Sequence, residues 1–326
     1  LYTTFPFVVG EANTRETKEL GNTMHPLETS DSNPNLNIDP ALDPTLDHLS
    51  RRTLLGRVGV GALAATVASP ILAEAPPKAS EDPNIIKTDI IFTSKGADDK
   101  PTEVKGLLVM PKAGGKHGAV MVVHEIFGLT DHIKEVACRF AQAGYIAFAP
   151  DLFSREGAPP PLTGGFGPLM EFVQKIPDKQ VMEDLKAAMK MLRGKKESNK
   201  KVGIVGFCWG GRVSMLLDGY ASDLDAAVAY YGRIVGQSTA NQPHSPLDLA
   251  DKMKAPLLGH FGGLDRGIPT TDVEKLRDTL KEHNKTVEMH IYEKAGHAFN
   301  NDTRESYQKE SAEAAWARTL EWYKKY

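Results

Sequence analysis

A cysteine stands within a run of glycines near the middle of the chain, in a setting that could make it a nucleophile. Cys208 lies in the sequence GFCWGG and is one of only two cysteines in 326 residues. The apolar segment KVGIVGF before it is typical of a buried strand, and the residues after it are typical of a helix. A sharp turn from strand to helix is the context of a nucleophile elbow, which exposes the side chain at its apex.

Two glycines and the helix after the turn favour this chemistry. Gly206 and Gly210 lie two residues before and after Cys208, where side chains would collide in so tight a turn. The N-terminus of the helix directs free N–H groups and the positive end of its dipole at the sulfur, which stabilises a thiolate. On the motif alone, a glycine-rich junction without chemistry is the alternative.

The second cysteine decides against a simple redox motif. A Cys-x-x-Cys site needs a second cysteine close by, and the other cysteine here is Cys138, in a segment with helical periodicity. We expect Cys138 to be a partly buried helix residue. A disulfide between Cys138 and Cys208 is an alternative in an oxidising compartment, and it would inactivate the nucleophile.

Candidates for the base and its orienting acid follow in the order that an elbow nucleophile requires. Asp265 follows the strand PLLGHFGG in a glycine-rich loop, and His297 follows the strand TVEMHIY. Either residue alone is more commonly a loop residue, but open α/β sheets place their sites beyond the carboxyl ends of strands. We therefore expect both to meet Cys208 there. Three other histidines are interpreted as structural or surface residues: His124, His260 and His290.

Two backbone amides are candidates for an oxyanion hole. One is the N–H of Trp209, the residue after the nucleophile. The other is the N–H of Ile126, in the loop HEIFGLTDH after the strand AVMVV. Two such donors would lower the barrier of acyl transfer by several kcal/mol.

Alternating strands and helices from about Asn84 must position these groups. Short apolar runs joined by helical segments predict an α/β fold, with a mostly parallel sheet and helices on both faces. A capping box formed by Thr271 and Glu274 is expected to open one helix, and the last helix is expected from about Thr303 to Tyr323. The segment SREGAPPPLTGGFGPLM is too rich in proline and glycine for regular structure, and is predicted to be a lid or pocket wall.

The first part of the chain carries a different pattern. Residues 1–49 are polar and aperiodic, and are predicted to be a disordered extension. Residues 50–80 combine Arg51 and Arg52 with a mildly apolar run and small residues, as a twin-arginine signal and linker do. A short amphipathic or anchor helix is the alternative. We expect the twin-arginine machinery as a partner, a periplasmic or exported location (cytoplasmic if the signal is misread), and a single domain over 81–326.

Composition excludes several classes of protein. The net charge is −3, with no clustered basic surface of the kind that binds nucleic acid. Two cysteines are too few for a disulfide scaffold or the usual structural zinc sites. No segment has the roughly 18 uninterrupted apolar residues of a transmembrane helix.

The body of the chain resembles the dienelactone hydrolase (carboxymethylenebutenolidase) family of α/β-hydrolases. The matching segments are HEIFG (124–128), PDLF (150–153), GFCWGG (206–211), AAVAYYG (226–232), GGLDRGIP (262–269) and YEKAGHAF (292–299). The resemblance implies a single α/β-hydrolase domain and a triad of Cys208, Asp265 and His297. It also implies that Glu125 lies beside the thiol and helps to activate it when substrate binds.

One departure from the family concerns the substrate. Members that hydrolyse dienelactone hold its carboxylate with arginines, one of them at the position that is Asn301 here. Arg155, Arg212 or Arg233 could substitute, and Arg233 is favoured because it follows a strand end. We therefore expect a small ester or lactone rather than dienelactone itself.

The expected activity is hydrolysis through an acyl-cysteine, with no metal and no organic cofactor. The partner is a small-molecule ester or lactone, and the protein is expected to be a monomer or small homo-oligomer without nucleic-acid partners. A general carboxylesterase or a thioesterase on the same triad is the nearer alternative. A non-catalytic exported binding protein with a relic elbow is the more distant one.

Overall fold

An eight-stranded sheet carries the described part of the chain, which is residues 78–96 and 98–326 of this computed structural model. In chain order the strands are β1 (Ile85–Lys95), β2 (Pro101–Pro111), β3 (His117–Val123), β4 (Ile146–Asp151), β5 (Ser198–Phe207), β6 (Ala226–Tyr230), β7 (Leu257–Gly262) and β8 (Val287–Tyr292). The helices are α1 (Asp131–Gln142), α2 (Phe166–Gln174), α3 (Asp178–Gly194), α4 (Trp209–Tyr220), α5 (Thr270–Glu282) and α6 (Lys309–Lys325).

The sheet is mostly parallel, as predicted. Its spatial order is β1-β2-β4-β3-β5-β6-β7-β8. Only β2 runs against its neighbours, pairing antiparallel with both β1 and β4, and all other neighbouring pairs are parallel. Strands β6 and β7 are buried along their whole length, which explains why their sequences are apolar runs rather than alternating patterns.

Helices cover both faces of the sheet, and two glycines of β5 show this directly. A side chain at Gly203 would collide with Tyr323 of α6, whereas one at Gly206 would collide with Gly210 and Ser214 of α4. Positions an odd number of residues apart in a strand point to opposite faces. Helices α4 and α6 therefore pack on opposite sides of β5, which confirms the expected layers.

The proline- and glycine-rich segment after β4 is more regular than its composition predicts. The end of this segment forms the first turns of helix α2. The helix begins after Gly165, whose φ of 80° produces a sharp turn in the backbone. The helix buries Leu169 and Val173 against the core. The prediction of a wholly irregular segment was therefore wrong from Phe166 onward, because tertiary burial outweighs weak helix propensity.

Two helix starts also differ from the expectation. Helix α5 begins at Thr270, directly after Pro269, so Thr271 is already inside the helix and cannot serve as its cap. The last helix begins only at Lys309, because the side chain of Gln308 accepts a hydrogen bond from the Ser311 amide and caps it there. The chain before Gln308 is consequently a loop, which proves important for the site.

The extension predicted for 1–49 and most of the signal segment predicted for 50–80 lie outside the described residues, so both stay predictions, as does the domain boundary at residue 81. Among the described helices, none is long and apolar enough to cross a membrane.

Candidate active site

The turn between β5 and α4 has the geometry of a nucleophile elbow. Cys208 adopts φ 55° and ψ −114°, a left-handed conformation that costs a non-glycine residue about 1–3 kcal/mol. The Cys208 amide donates to the Tyr230 carbonyl (3.0 Å), and the Cys208 carbonyl accepts from the Gly211 amide (3.0 Å). These bonds hold the strained residue at the carboxyl end of the sheet, with its side chain partly exposed.

Gly206 and Gly210 must be glycines because a side chain at either position would collide with neighbouring backbone, as the sequence predicts. A Cβ on Gly206 would collide with the carbonyl of Gly210, and one on Gly210 would collide with the carbonyls of Val123 and His124. The elbow therefore packs directly against the end of β3 and the loop that follows it.

Asp265 and His297 meet beyond the ends of β7 and β8. The Nδ1–H of His297 donates to Oδ2 of Asp265 at 2.7 Å, while Oδ1 of Asp265 accepts from the Gly267 amide at 2.9 Å. This pairing assigns the proton of the neutral ring to Nδ1, so Nε2 is free to take a proton. Nε2 is buried and has no hydrogen-bond partner among the described residues.

Cys208 and His297 are electrostatically coupled. Burial lowers the pKa of His297. The charge of an ionised Cys208, the hydrogen bond to Asp265, the proximity of the Cys208 sulfur (too distant or poorly aligned for a regular hydrogen bond) and the charge of Asp265 raise it, and the net pKa lies well above its ordinary value. A thiolate on Cys208 thus favours a protonated His297, which is the arrangement of a thiolate–imidazolium pair.

Glu125 is 2 % exposed, and its partner is a neutral amide. Nδ2 of Asn301 donates to Oε2 of Glu125 at 3.0 Å, while Oδ1 of Asn301 accepts from the Thr303 amide (3.1 Å) and hydroxyl (2.7 Å). These partners fix the orientation of the amide. The position at which the family resemblance leads one to expect an arginine therefore contacts Glu125 through an uncharged amide.

The amides of Ile126 and Trp209 make no hydrogen bond to any other part of the described chain. His124 fixes the loop that carries Ile126: its Nδ1 contacts the Glu125 carbonyl at 2.7 Å, and its Nε2 accepts from the Leu152 amide at 3.2 Å. Burial lowers the pKa of His124 to about 4, so the ring is neutral at ordinary pH. Its ring also stacks on Trp209, with centroids 5.4 Å apart, which joins the loop to the elbow.

The arginines proposed for substrate binding have different surroundings. Arg155 pairs with the fully buried Asp184, and Arg212 forms two bonds of 2.8 Å with Asp178, so both serve structural ion pairs. Arg233 is exposed and forms no hydrogen bond or ion pair within the described residues.

Sequence reasoning missed Arg304. Its guanidinium lies 4.2 Å from the ring centroid of Phe127, the residue after Ile126, and it forms no ion pair within the part of the chain that the structure describes. It stands in the loop before α6, which the sequence assigned to the helix. The only signal in the sequence is its place three residues after Asn301.

A cleft of about 380 Å³ opens beside the same phenylalanine. Phe127 and Phe153 line it together with Gly157, Ala158 and Pro159 from the segment after β4. That segment therefore forms one wall of a cleft next to the candidate oxyanion loop, in line with the expected pocket wall.

The other cysteine is inert by comparison. Both cysteines are free, so no disulfide links Cys138 to Cys208. Cys138 is 1 % exposed in α1. Burial and the nearby Glu135 raise the pKa of the Cys138 thiol to about 11, so it stays protonated.

The sheet order, the single antiparallel strand β2 and the strand–turn–helix at Cys208 define an α/β-hydrolase. Comparison with known proteins narrows the class. Residues 104–326 match the family model described as “Dienelactone hydrolase family”. The chain belongs to the dienelactone hydrolase family, and it is a hydrolase of the carboxylic ester class.

Individual relatives agree with this assignment. A Methylorubrum extorquens protein named “Putative carboxymethylenebutenolidase” is 38 % identical over 290 residues, which cover 88 % of this chain and 98 % of that protein. A Bradyrhizobium protein named “Probable 2-oxo-3-(5-oxofuran-2-ylidene)propanoate lactonase” is 34 % identical over 65 % of this chain and 86 % of its own length. The crystal structure titled “Putative Dienelactone Hydrolase” from Klebsiella pneumoniae superposes with a TM-score of 0.67 at 38 % identity, covering 74 % of this chain and 99 % of that one.

Proposed function

We propose that this chain hydrolyses small esters or enol-lactones through Cys208, Asp265 and His297, with an acyl-cysteine intermediate. The observation that carries the proposal is the hydrogen bond of 2.7 Å between Asp265 and His297, formed beside a cysteine held at φ 55°. A strained elbow and an oriented histidine are together the arrangement that nucleophilic acyl transfer requires.

In the first half of the reaction, the Cys208 proton passes to Nε2 of His297 and the thiolate attacks the substrate carbonyl. The amides of Ile126 and Trp209 bind the oxyanion. When the tetrahedral intermediate collapses, the C–O bond to the leaving group breaks. The departing alkoxide or enolate takes the proton from His297.

In the second half, His297 removes a proton from water, and the resulting hydroxide attacks the thioester. Collapse breaks the C–S bond and releases the acid, and the sulfur of Cys208 leaves as the thiolate, balanced by protonated His297. Glu125 is buried in the loop that also carries Ile126, and we assign it a supporting role in activating the thiol. A small shift of its partner Asn301 would change its orientation.

The test compares Cys208→Ala with Cys138→Ala on a panel of esters and enol-lactones. We expect Cys208→Ala to lose about a thousandfold or more in kcat, because the nucleophile is gone. Cys138→Ala should keep kcat, because Cys138 is buried in α1 and protonated. Intact-mass spectrometry of quenched wild type should show one acyl adduct, located at Cys208.

Full hydrolysis by folded Cys208→Ala, or an adduct at another residue, would contradict the proposal. Rapid turnover of thioesters with negligible turnover of oxygen esters would instead assign the triad to a thioesterase.

A further inference from the structure

Two features of Tyr231, a strained backbone and an unpaired buried hydroxyl, are each energetically unfavourable, and the residue lies directly beside the candidate site. It follows the last residue of β6 and adopts φ 38°, a left-handed conformation that is unusual for a bulky residue. Its amide donates to the His260 carbonyl at 2.8 Å, which holds the backbone in that conformation. The side chain is fully buried, and its ring packs 5.1 Å from the ring of His297.

The second cost lies in the hydroxyl group. The Tyr231 hydroxyl is buried and has no hydrogen-bond partner among the described residues. Leaving such a group unpaired is destabilising, because burial removes its hydrogen bond to water and supplies no replacement. The preceding Tyr230 is equally buried, but its hydroxyl bonds to Oγ1 of Thr319 at 2.7 Å. The fold thus provides a hydrogen-bond partner for the hydroxyl of Tyr230, whereas the hydroxyl of Tyr231, which lies on the side of the site, has none among the described residues.

Charged and titratable groups surround this hydroxyl. Burial raises the pKa of Tyr231 well above its ordinary value, and the negative charges of Glu125 and Cys208 raise it further, followed by Tyr230, while Arg304 opposes them. The hydroxyl therefore keeps its proton and acts as a donor near two groups that can be anions.

The sulfur is the better candidate for the acceptor. Oε2 of Glu125 already accepts from Asn301, and the Tyr231 hydroxyl makes no bond to that carboxylate in the free protein. A neutral thiol is a weak acceptor, whereas a thiolate accepts charge-assisted hydrogen bonds strongly. The Cys208 amide bonds to the carbonyl of Tyr230 at 3.0 Å, so Tyr231 and Cys208 are close neighbours. The Tyr231 hydroxyl makes no hydrogen bond to the sulfur in the free protein, so a side-chain rotation must bring the two together when the sulfur ionises.

We propose that the hydroxyl of Tyr231 is a hydrogen-bond donor reserved for the ionised sulfur of Cys208. The proposal rests on Cys208 being the nucleophile. The hydroxyl proton stays on Tyr231 throughout, so no bond is broken at this residue. Because the bond forms only after ionisation, it stabilises the attacking state more than the resting state, which is the condition for raising kcat.

The test compares Tyr231→Phe with Tyr230→Phe, each of which removes one buried hydroxyl. The main measurement is the rate of Cys208 alkylation by iodoacetamide as a function of pH, followed by peptide mass spectrometry. Glu125, Asp265, His297 and Arg304 are present in both variants, so their effects on the titration are common to both. Thermal unfolding and the kinetic constants kcat and KM are measured on the same samples.

We expect Tyr231→Phe to move the midpoint of the alkylation profile up by about 0.5–1 pH unit, which corresponds to about three- to tenfold less thiolate below the midpoint. Its kcat should fall by a similar factor while KM stays unchanged, and its Tm should be equal or higher, since an unpaired hydroxyl is removed. Tyr230→Phe should lower Tm, because it breaks the bond to Thr319, and should leave the alkylation profile unchanged.

An unchanged alkylation profile in folded Tyr231→Phe would overturn the assignment. If kcat fell with the profile unchanged, the hydroxyl would act on the substrate and not on the sulfur. Alkylation does not require turnover, so a failure of the proposed hydrolysis, seen as an active Cys208→Ala variant, is separable from a failure of this assignment.

Discussion

At the scale of single residues, the charge balance around Glu125 sets this site apart from the arginine-bearing members of its family. Asn301 gives Glu125 one hydrogen bond, at 3.0 Å, from an uncharged amide, where an arginine would bring a positive charge and often two hydrogen bonds. Two cations lie near the cleft: Lys105 lines it, and Arg304 stacks on Phe127 at its edge, with no ion pair to Arg304 within the described residues. We therefore predict that an anionic group on a substrate binds Arg304.

Arg304→Gln tests this placement. We expect it to raise KM about tenfold for enol-lactones that carry a carboxylate, because a charge-assisted hydrogen bond is lost, and to leave KM for neutral esters unchanged. Arg277→Gln is the matched control, since it removes an equal charge from α5, where Arg277 pairs with its neighbour Asp278. Equal effects of the two variants, or an equal loss on neutral esters, would refute a specific role for Arg304.

At the scale of elements, the sequence predicts the parallel strands and the strand–turn–helix at Cys208 well, because both depend on local patterns. Buried strands such as β6 and β7 are short apolar runs, and the elbow requires glycines at fixed offsets from Cys208. Arg304 and Tyr231 were not predictable in this way. Arg304 lies in a loop against Phe127 because the Gln308 cap starts α6 later than the sequence pattern predicts. Tyr231 matters for its buried hydroxyl, and only the three-dimensional structure shows that this hydroxyl has no partner among the described residues.

The contact between the elbow and the oxyanion loop can be tested with Gly210→Ala. The new Cβ would press on the carbonyls of Val123 and His124, and would displace the loop that carries the Ile126 amide. We expect a loss of about 1–3 kcal/mol in the free energy of unfolding and a fall of at least about tenfold in kcat.

Gly167→Ala is the matched control for that change, because it lies in the first turn of α2 with open space around its Cβ position. It should keep kcat and gain up to about 1 kcal/mol of stability from the better helix former. Measurements of urea unfolding and steady-state kinetics distinguish the two variants, and wild-type kcat in Gly210→Ala would show that the close approach has no catalytic importance.

At the scale of the whole molecule, helices cover both faces of the sheet and bury ionisable groups. Some of these groups form hydrogen bonds between a helix and the chain that leads into a strand. Asp218, in the last turn of α4, has no exposed surface. Its Oδ1 accepts from the amides of Lys254 and Ala255, each at 2.8 Å, and so joins α4 to the chain before β7. Burial raises the pKa of Asp218 to about 6 against these hydrogen bonds, and its other oxygen is unpaired within the described residues.

This raised pKa makes the contribution of Asp218 to stability depend on pH. Between the ordinary pKa near 3.8 and the folded value of about 6, the native state binds the proton more tightly than the unfolded chain. The free energy of unfolding therefore falls as pH rises through this window. The change is about 3 kcal/mol for a shift of this size.

Asp218→Asn keeps an oxygen for both amides but cannot titrate, so its stability relative to wild type should increase by up to about 3 kcal/mol from pH 4 to pH 7. Urea unfolding across that range measures the difference, in which the titrations of the other groups cancel. Asp248→Asn is the control: hydrogen bonds from Ser245 lower the pKa of Asp248 below its ordinary value, so its difference from wild type should stay flat above pH 5. A flat difference for Asp218→Asn as well would show that Asp218 is already ionised in the native protein at pH 4.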